Sequence, residues 1–313
     1  MVETYIRLSG SAFPGKYVNP SAHANFVKHT LVAARDAAQF QTVRSSRLRG
    51  RPSNLLKAIW EIKQAPWRET DNGDTLLIFS SKTLIDSAPS LFDQESLFPE
   101  DRLQRDWTVF DLLGQALDEI HRSPDRETML DYGMLKSVQS FADSLSHGLD
   151  SAVFDYHYDS KLAHAALINT MLVEKAGKAL SRTPSPRRIR VSGVLDLLRM
   201  SNCFFQMNLD DGTRVRGIWM HDTINLRTLL GERVTMEGEA SFRANGEIIA
   251  LRADAARLAA NADIVYSHKP VITSIEARRK LSQPGGGALR SIVGKWPGEE
   301  SDQEIFEYLT AIS

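Results

Sequence analysis

The sequence predicts an α+β protein in which a mostly helical N-terminal domain with a small sheet precedes a five-stranded β-barrel and a C-terminal helix. Two observations lead to this fold class. Between Ile189 and Leu258 the chain reads as five strands of alternating apolar and polar residues, with one short helix between the third and the fourth. The region before it carries several helical patterns of apolar residues, and 313 residues are enough for two domains. The predicted divisions are an N-terminal domain (1–180), a linker (181–188), the barrel (189–260), a connector with a flexible linker (261–290) and a docking tail (291–313).

The composition excludes several classes of protein. Apolar residues make up 42% and charged residues 25% of the chain, as in ordinary globular proteins, and the formal net charge of −1 is not that of a polycation. Because Cys203 is the single cysteine, the sequence predicts no internal disulfide and no cysteine-based metal site. The N-terminus lacks the pattern of a signal peptide, and no apolar run approaches the roughly 18 residues of a membrane span. We therefore expect a cytoplasmic protein that has no cofactor, no metal and no membrane partner.

The first half of the N-terminal domain is predicted to contain two strands and two helices. Asn19 followed by Pro20 is a favourable helix start, and Asn72-Gly73 is typical of a hairpin turn. The predicted elements are a strand at Thr4–Ser9, a helix from Pro20 to about Phe40, a second helix that Ser53 caps and that ends before Pro66, and a strand at Thr75–Ser80 that pairs with the first. Segment 41–52 carries four arginines, and it is either a basic loop that touches phosphate or a solvated connector.

The second half of this domain is predicted to hold three helices. Thr108, with Asp111 three residues later, forms a variant of the capping box at the start of the first helix. The second helix is expected to start at Thr128 and to end before Gly148. The third is expected to run from Ser160 to about Leu180.

Segment 153–159 is the one place where the sequence indicates chemistry. If it is a strand, Asp155, His157 and Asp159 share one face, and the aromatic residues between them share the other. A row of carboxylate, imidazole and carboxylate could bind a divalent metal or hold a general base with its orienting group. The alternative is the solvated outer face of an ordinary strand.

In the predicted barrel, alternation assigns each side chain to the inside or the outside. The inward residues are Ile189, Val191, Gly193, Leu195 and Leu197 of the first strand, Phe205, Met207 and Leu209 of the second, Val215, Gly217 and Trp219 of the third, Val234, Met236, Gly238, Ala240 and Phe242 of the fourth, and Ile249 and Leu251 of the fifth. Asp211-Gly212 predicts a hairpin with a type I′ turn, and Asn245-Gly246 predicts a second hairpin.

The barrel region resembles OB-fold domains, especially the anticodon-binding barrels of tRNA synthetases. The resemblance rests on Gly193–Arg199, the turn Asp210–Thr213 and the run Leu229–Glu239, and it covers about 70 of the 313 residues. In that family, ligands bind on the second and third strands and on the loops after strands one and four. Carried over to this sequence, the resemblance implies a ligand face of Phe204, Gln206, Asn208, Arg214 and Arg216, with Arg199–Asn202 and Arg243–Asn245 at its rim.

Two functions remain open for this face. Phe204 could stack on a nucleobase while Arg214 and Arg216 contact phosphates of a single strand. Between Arg182 and Leu258 the chain has twelve arginines against nine aspartates and glutamates, which is only a mild positive excess. The alternative is a structural or protein-docking barrel in which Phe204 packs on the N-terminal domain and the arginines are solvated.

The C-terminal tail is predicted to be a helix that docks on a protein. Its sequence from Trp296 to Glu304 resembles the acidic ends of small bacterial antitoxin-like proteins. The residues expected to contact the partner are Trp296, Ile305, Phe306 and Leu309. An apolar helix on a glycine-rich tether has to bury its face, either on a second chain or on its own N-terminal domain.

The sequence therefore predicts a non-enzymatic binding or assembly protein. Its barrel would contact a partner protein or nucleic acid, and its tail would dock a second chain in a bacterial defence or toxin–antitoxin-like system. The alternative is a metal-dependent or acid/base enzyme with a site near Asp155, His157 and Asp159.

Overall fold

The computed structural model of the chain describes residues 1–46, 54–92, 103–123, 128–159, 162–200, 203–219 and 226–270. The chain divides into two compact units, Met1–Ser274 and Ile275–Ser313, and the second lies outside the described residues. The predicted N-terminal domain and the predicted barrel thus fall within one unit. Among the described residues, no helix is both long enough and apolar enough to cross a membrane.

The described residues confirm the α+β class. The helices are α1 (Pro20–Val43), α2 (Asn54–Ile59), α3 (Leu84–Ser87), α4 (Val109–Arg122), α5 (Tyr132–Gln139), α6 (Phe141–Ser146) and α7 (Thr170–Arg182). The strands are β1 (Val2–Ser9), β2 (Ile62–Glu69), β3 (Thr75–Ser81), β4 (Ser151–Asp159), β5 (Leu162–Ile168), β6 (Arg187–Arg199), β7 (Phe204–Asn208), β8 (Arg214–Trp219), β9 (Arg233–Phe242) and β10 (Ile248–Leu258). Short 3-10 helices lie at Pro89–Phe92, Leu226–Leu229 and Asn261–Tyr266.

The first five strands form one antiparallel sheet in the order β2-β3-β1-β4-β5. Helix α4 packs on this sheet, since the Phe110 ring lies 5.3 Å from that of Phe79 on β3 and 6.5 Å from that of Phe154 on β4. The approach of α4 to β4 is close, because a Cβ on Gly114 would lie 2.2 Å from the ring of Tyr156. The capping box of Thr108 and Asp111 predicted for the start of α4 is confirmed.

Three elements of this region differ from the sequence prediction. The helix predicted to end before Pro66 is present as α2, but it ends at Ile59. Strand β2 follows it, an edge strand whose register shifts between Ala65 and Arg68, where a proline is tolerated. The helix expected from Ser160 begins only at Thr170, because Leu162–Ile168 pairs with β4 instead. Its alanine-rich sequence favours a helix, but the cross-strand partners override that preference.

The helix expected from Thr128 is also different, because it is two helices. Asp131 caps α5 by accepting a hydrogen bond from the backbone N–H of Met134. The chain then breaks at Ser140, whose backbone N–H donates to the carbonyl of Lys136 before α6 begins. An aspartate that accepts from the first turn is a stronger start signal than the threonine three residues earlier.

The last five strands form a closed barrel in the order β10-β8-β7-β6-β9, and β9 pairs back to β10. All neighbours are antiparallel except β8 and β10, which are parallel. This barrel is compatible with the OB-like architecture that the sequence implies. Closure needs backbones without side chains between them, since a Cβ on Gly217 would lie 1.9 Å from the carbonyl oxygen of Leu251.

Most of the predicted inward residues fill the barrel, with two corrections. The buried core contains Val191, Leu195, Phe205, Met207, Leu209, Val215, Trp219, Val234, Met236, Ala240, Phe242 and Leu251. Leu197 is expected inside, but the β6–β7 register shifts after Leu195, and Leu198 packs on the core instead. Ile249 is also expected inside, but it packs against the core of the N-terminal domain.

Both hairpin turns of the barrel are present, although Asp211-Gly212 is not type I′. In each turn only the glycine has a positive φ, which is 80° at Gly212 and at Gly246. The Gly212 N–H donates to the carbonyl of Leu209, as in a four-residue turn that ends on a left-handed residue. The hairpin before β3 is built in the same way around Gly73.

The N-terminal domain contacts the barrel on its β9–β10 side. The Ser241 hydroxyl on β9 donates to the backbone carbonyl of Arg44, the residue that ends α1, at 3.2 Å. A cavity of about 10 Å³ lies at this junction between Val43 and Ala250, among other residues. It has room for about one water molecule.

The residues after β10 pack on the barrel without adding a strand to it. They form the 3-10 helix Asn261–Tyr266, in which the carboxylate of Asp263 accepts two hydrogen bonds from Arg257. We call residues 259–269 the strap. The Ser267 carbonyl accepts from the N–H of Asp210 in the β7–β8 turn, so the strap ties that turn down.

Candidate nucleic-acid interface

The two central strands of the barrel present one outward row each, and together these rows form a surface that we call the β7–β8 face. Its cross-strand pairs are Phe204 with Ile218, Gln206 with Arg216, and Asn208 with Arg214. The register therefore brings together all five residues that the OB resemblance implies. Four residue steps of about 3.3 Å make the face roughly 13 Å long.

A polar row crosses the middle of this face. The Gln206 amide nitrogen donates to a carboxylate oxygen of Asp196 at 3.1 Å, and Arg216 Nε donates to the Gln206 amide oxygen at 3.3 Å. Because a carboxylate only accepts and a guanidinium only donates, the amide of Gln206 can have only this orientation. Its neighbours cover the side chain of Gln206, and the residue is only 6% exposed.

Two charges at the ends of the β7–β8 face are not compensated. Arg214 is exposed and Arg199 is half-buried beside Phe204, its partner on β7. Neither guanidinium forms an ion pair with a carboxylate of the described residues. The face thus combines an aromatic end at Phe204 with a cationic end at Arg214.

Elsewhere on the barrel, most of the arginines are paired with carboxylates. Their carboxylate partners are Asp254 and Glu237 for Arg188, Glu237 for Arg190, Asp210 for Arg233, Glu239 for Arg252, and Asp263 for Arg257. The two outward glutamates of β9 therefore bind arginines of the barrel itself.

The rim residues expected beside the face lie at its two ends. The β6–β7 loop follows Arg199, at the end that carries Phe204, and its residues 201–202 are outside the described part of the chain. Arg243 lies at the other end, where Lys269 contacts both the β7–β8 and β9–β10 turns. Glu247 pairs with Arg243 at 3.4 Å. The pKa of Glu247 lies below its usual range, first because Asn245 hydrogen-bonds its carboxylate and also because Lys269 and Arg243 are near.

The second candidate site, around His157, differs from the predicted row. Segment 153–159 is a strand, but the imidazole of His157 contacts Asp111 of α4 rather than Asp155, and the side chain of Asp159 lies outside the described part of the chain. Its Nδ1 lies 2.9 Å from a carboxylate oxygen of Asp111, and the His157 backbone N–H donates to the same oxygen at 2.7 Å. The other Asp111 oxygen accepts from the N–H and hydroxyl of Thr108.

This Asp111–His157 pair has the form of an oriented base. The Asp111 side chain is 6% exposed and that of His157 is 52% exposed, so the carboxylate is buried and the ring reaches solvent. A buried carboxylate that accepts from Nδ1–H fixes the tautomer in which Nε2 carries the lone pair. No group of three metal-ligating side chains occurs among the residues that the structure describes.

Sequence reasoning misses Asp111 and Asp196 as site residues. The sequence assigns Asp111 to the helix cap alone, and 46 positions separate it from His157. It places Asp196 on the outer side of the first barrel strand, and the contact with Gln206 depends on the register shift after Leu195. In both cases, the sequence signal that could have identified the residue is an acidic side chain close to an element that carries other candidate site residues.

The predicted tail residues Trp296, Ile305, Phe306 and Leu309 lie outside the described residues. Comparisons of the chain with protein-family models, with curated proteins and with solved structures gave no match.

Proposed function

We propose that the chain is a non-enzymatic binding protein whose barrel is an OB-like domain that takes single-stranded nucleic acid on the β7–β8 face. Its C-terminal helix docks a second protein chain. The observation that carries the first part is the uncompensated charge of Arg199 and Arg214 beside an outward Phe204. The sequence of the acidic, apolar tail supports the second part.

The physical basis is that the aromatic ring and the cationic groups contact different parts of the strand. An outward aromatic ring provides a stacking surface for any base, and guanidinium groups attract the phosphates without reading sequence. A carboxylate neutralises most of the field of the arginine with which it pairs, so paired arginines attract phosphates only weakly. Arg214 and Arg199 keep theirs, and the field that they produce reaches about 10 Å at ordinary salt concentrations.

Binding of a labelled single strand of about 12 nucleotides tests the proposal, because one OB-like domain covers about 4–16 nucleotides. We expect fluorescence anisotropy to rise with protein and the affinity to fall as salt is raised. Arg214→Ala should lower the salt slope by about 0.7, the value for one phosphate contact of a single strand. Phe204→Ala should weaken binding on the order of tenfold.

Arg188→Ala is the matched control, since Arg188 is a barrel arginine with carboxylate partners. It should leave strand binding unchanged. If the intact chain retains a protein partner through the barrel and no strand binds even at low salt, the barrel is a protein-docking domain and the nucleic-acid proposal is wrong.

The tail is tested separately by comparing the full chain with a variant carrying Phe306→Asp and Leu309→Asp. We expect a partner chain to co-purify with the former and not with the latter, while strand binding by the barrel is equal in both. Equal recovery of the partner by both chains would remove the docking role of the tail.

The Asp111–His157 pair favours one other candidate function, general acid/base catalysis. In this alternative, Nε2 of His157 takes a proton from a substrate while Asp111 stabilises the imidazolium that forms. A panel of activated phosphate and carboxylate esters tests it. Hydrolysis should disappear in His157→Ala and Asp111→Asn and persist in Asp155→Asn. Turnover that is equal in the wild-type chain and in all three variants would rule out this site.

A further inference from the structure

Asp196 is an acidic residue on a surface that otherwise suits phosphate. It is exposed, and its carboxylate takes part in no ion pair within the described part of the chain. One of its oxygens accepts a hydrogen bond from the Gln206 amide, which leaves the second oxygen as an acceptor on the face. On a phosphate-binding surface such a group repels the ligand, unless a donor of the ligand meets it.

The donors of a single strand are on the edges of its bases. Guanine carries two adjacent donors on its Watson–Crick edge, N1–H and the exocyclic N2–H₂, which match the two lone-pair directions of a carboxylate. Thymine and uracil carry one donor between two carbonyl acceptors, and those acceptors are repelled by the same carboxylate. Unpaired bases are commonly read on this edge while their rings stack on aromatic side chains.

The local geometry puts the carboxylate in reach of such an edge. Phe204 and Gln206 are successive outward residues of β7, about 6.6 Å apart along the strand. The register shift after Leu195 brings Asp196 next to Gln206. A base that stacks on Phe204 can therefore extend its edge across that gap to Asp196, while Arg214 remains further along the face for phosphate.

We infer that Asp196 is a specificity-determining residue that selects guanine over thymine or uracil at the position stacked on Phe204. This inference rests on the proposed function of the β7–β8 face. Gln206 acts as a positioning residue, since its single possible orientation holds the Asp196 carboxylate in place and links it to Arg216.

The test compares two labelled strands, one entirely of thymine and one with a single central guanine, at the same length and salt concentration. We expect the wild-type protein to prefer the guanine strand by about tenfold, the discrimination of one well-matched pair of hydrogen bonds. Asp196→Asn should abolish the preference, because an amide offers one acceptor and one donor in place of two acceptors.

The same variant gives a second readout, because its affinities for the two strands should not change in the same direction. Asp196→Asn keeps the contact with Gln206, since the oxygen of the new amide still accepts a hydrogen bond from the Gln206 nitrogen. Removing the negative charge should therefore keep or raise the affinity for the all-thymine strand while the affinity for the guanine strand falls. A residue with a merely structural role would lower both affinities together.

The outcomes separate this inference from the function beneath it. If both strands bind equally well to the wild-type protein, or if Asp196→Asn keeps the preference for guanine, the selection is wrong and the binding face stands. If neither strand binds, the proposed function fails and the selection fails with it.

Discussion

The β7–β8 face and the β9–β10 face belong to one barrel, and they treat charge differently. On the β9–β10 side, Glu239 pairs with Arg252, and the N-terminal domain covers part of the surface at Ser241. On the β7–β8 side, Arg214 has no carboxylate partner and Asp196 no cationic one among the described residues. The difference teaches that one barrel can neutralise the charges of one face and keep those of another.

Surface ion pairs are each worth little stability, about 0–1 kcal/mol. The pairing on β9–β10 is therefore better understood as control of the electric field than as a source of folding energy. A barrel with all of its arginines unpaired would attract polyanions over its whole surface. Pairing most of them reduces that attraction over the rest of the barrel.

The largest expected effect is a loss of stability that involves both faces. Gly217 has no side chain, and this lets β8 approach β10. In Gly217→Val the new side chain would collide with the backbone of Leu251, and we expect a loss of about 3 kcal/mol of unfolding free energy. Urea unfolding followed by tryptophan fluorescence measures it. The control is Gly177→Ala in α7, which meets only a side-chain atom at 3.4 Å and should be neutral or stabilising. Equal stability of the two variants would contradict the close approach.

The next effect concerns only the covered face. Ile249 is half-buried and packs on the core of the N-terminal domain, so Ile249→Ala should destabilise the protein by roughly 1–2 kcal/mol. We also expect the barrel and the N-terminal domain to unfold less cooperatively, which is visible as a broader calorimetric transition. Affinity for a single strand should not change, since Ile249 is not on the β7–β8 face; a parallel loss of binding would show that the faces are coupled.

Removing one charge from each face gives a direct comparison of the two. Glu239→Gln removes the ion pair between Glu239 and Arg252 at a site where both side chains are only about one-fifth exposed, and it should cost about 1 kcal/mol. Arg214→Ala should change stability by less than about 0.5 kcal/mol. Strand binding should respond in the reverse order, with Arg214→Ala weaker and Glu239→Gln unchanged. Reversal of either pattern would undo the distinction between the two faces.

The smallest expected effect is a pH dependence of the strap. The pKa of Asp263 lies well below its usual range, first because Arg257 hydrogen-bonds it and also because the Ala260 N–H does. When folding lowers the pKa of a carboxyl group, the ionised group stabilises the native state at pH values above its ordinary pKa of about 3.9. That stabilisation is lost as the pH falls below this value. Melting temperatures between about pH 6 and pH 3 should therefore fall less steeply in Asp263→Asn than in the wild-type chain. Parallel slopes would contradict the prediction.

The sequence predicts the structure well where apolar residues recur with the period of the strand or helix that they form. In the barrel, alternation places Phe205, Met207 and Val215 inside without knowledge of the partners, and glycines mark the turns. The prediction is wrong where register depends on the neighbouring strand. The shift after Leu195 exchanges Leu197 for Leu198 in the core, and no local pattern announces it.

Tertiary context explains the other differences. Proline at position 66 normally ends an element, but an edge strand tolerates it because one side has no ladder partner to lose. The segment of β5 is rich in alanine, and its strand conformation comes from β4. The residues of the β7–β8 face can be predicted because they are close in sequence. The contact of Asp111 with His157 cannot, because it joins two distant elements.

The strand order of the barrel also has a consequence for folding kinetics. The β6–β7 and β7–β8 hairpins join neighbours in the chain, whereas the parallel pair of β8 with β10 joins Gly217 to Leu251, and Arg187 of β6 pairs with Ala240. Contacts between residues far apart in the chain carry the greater entropic cost and form late. A growing polypeptide can thus assemble the meander that bears Phe204 before the cylinder is sealed, and sealing is the step that sets the rate.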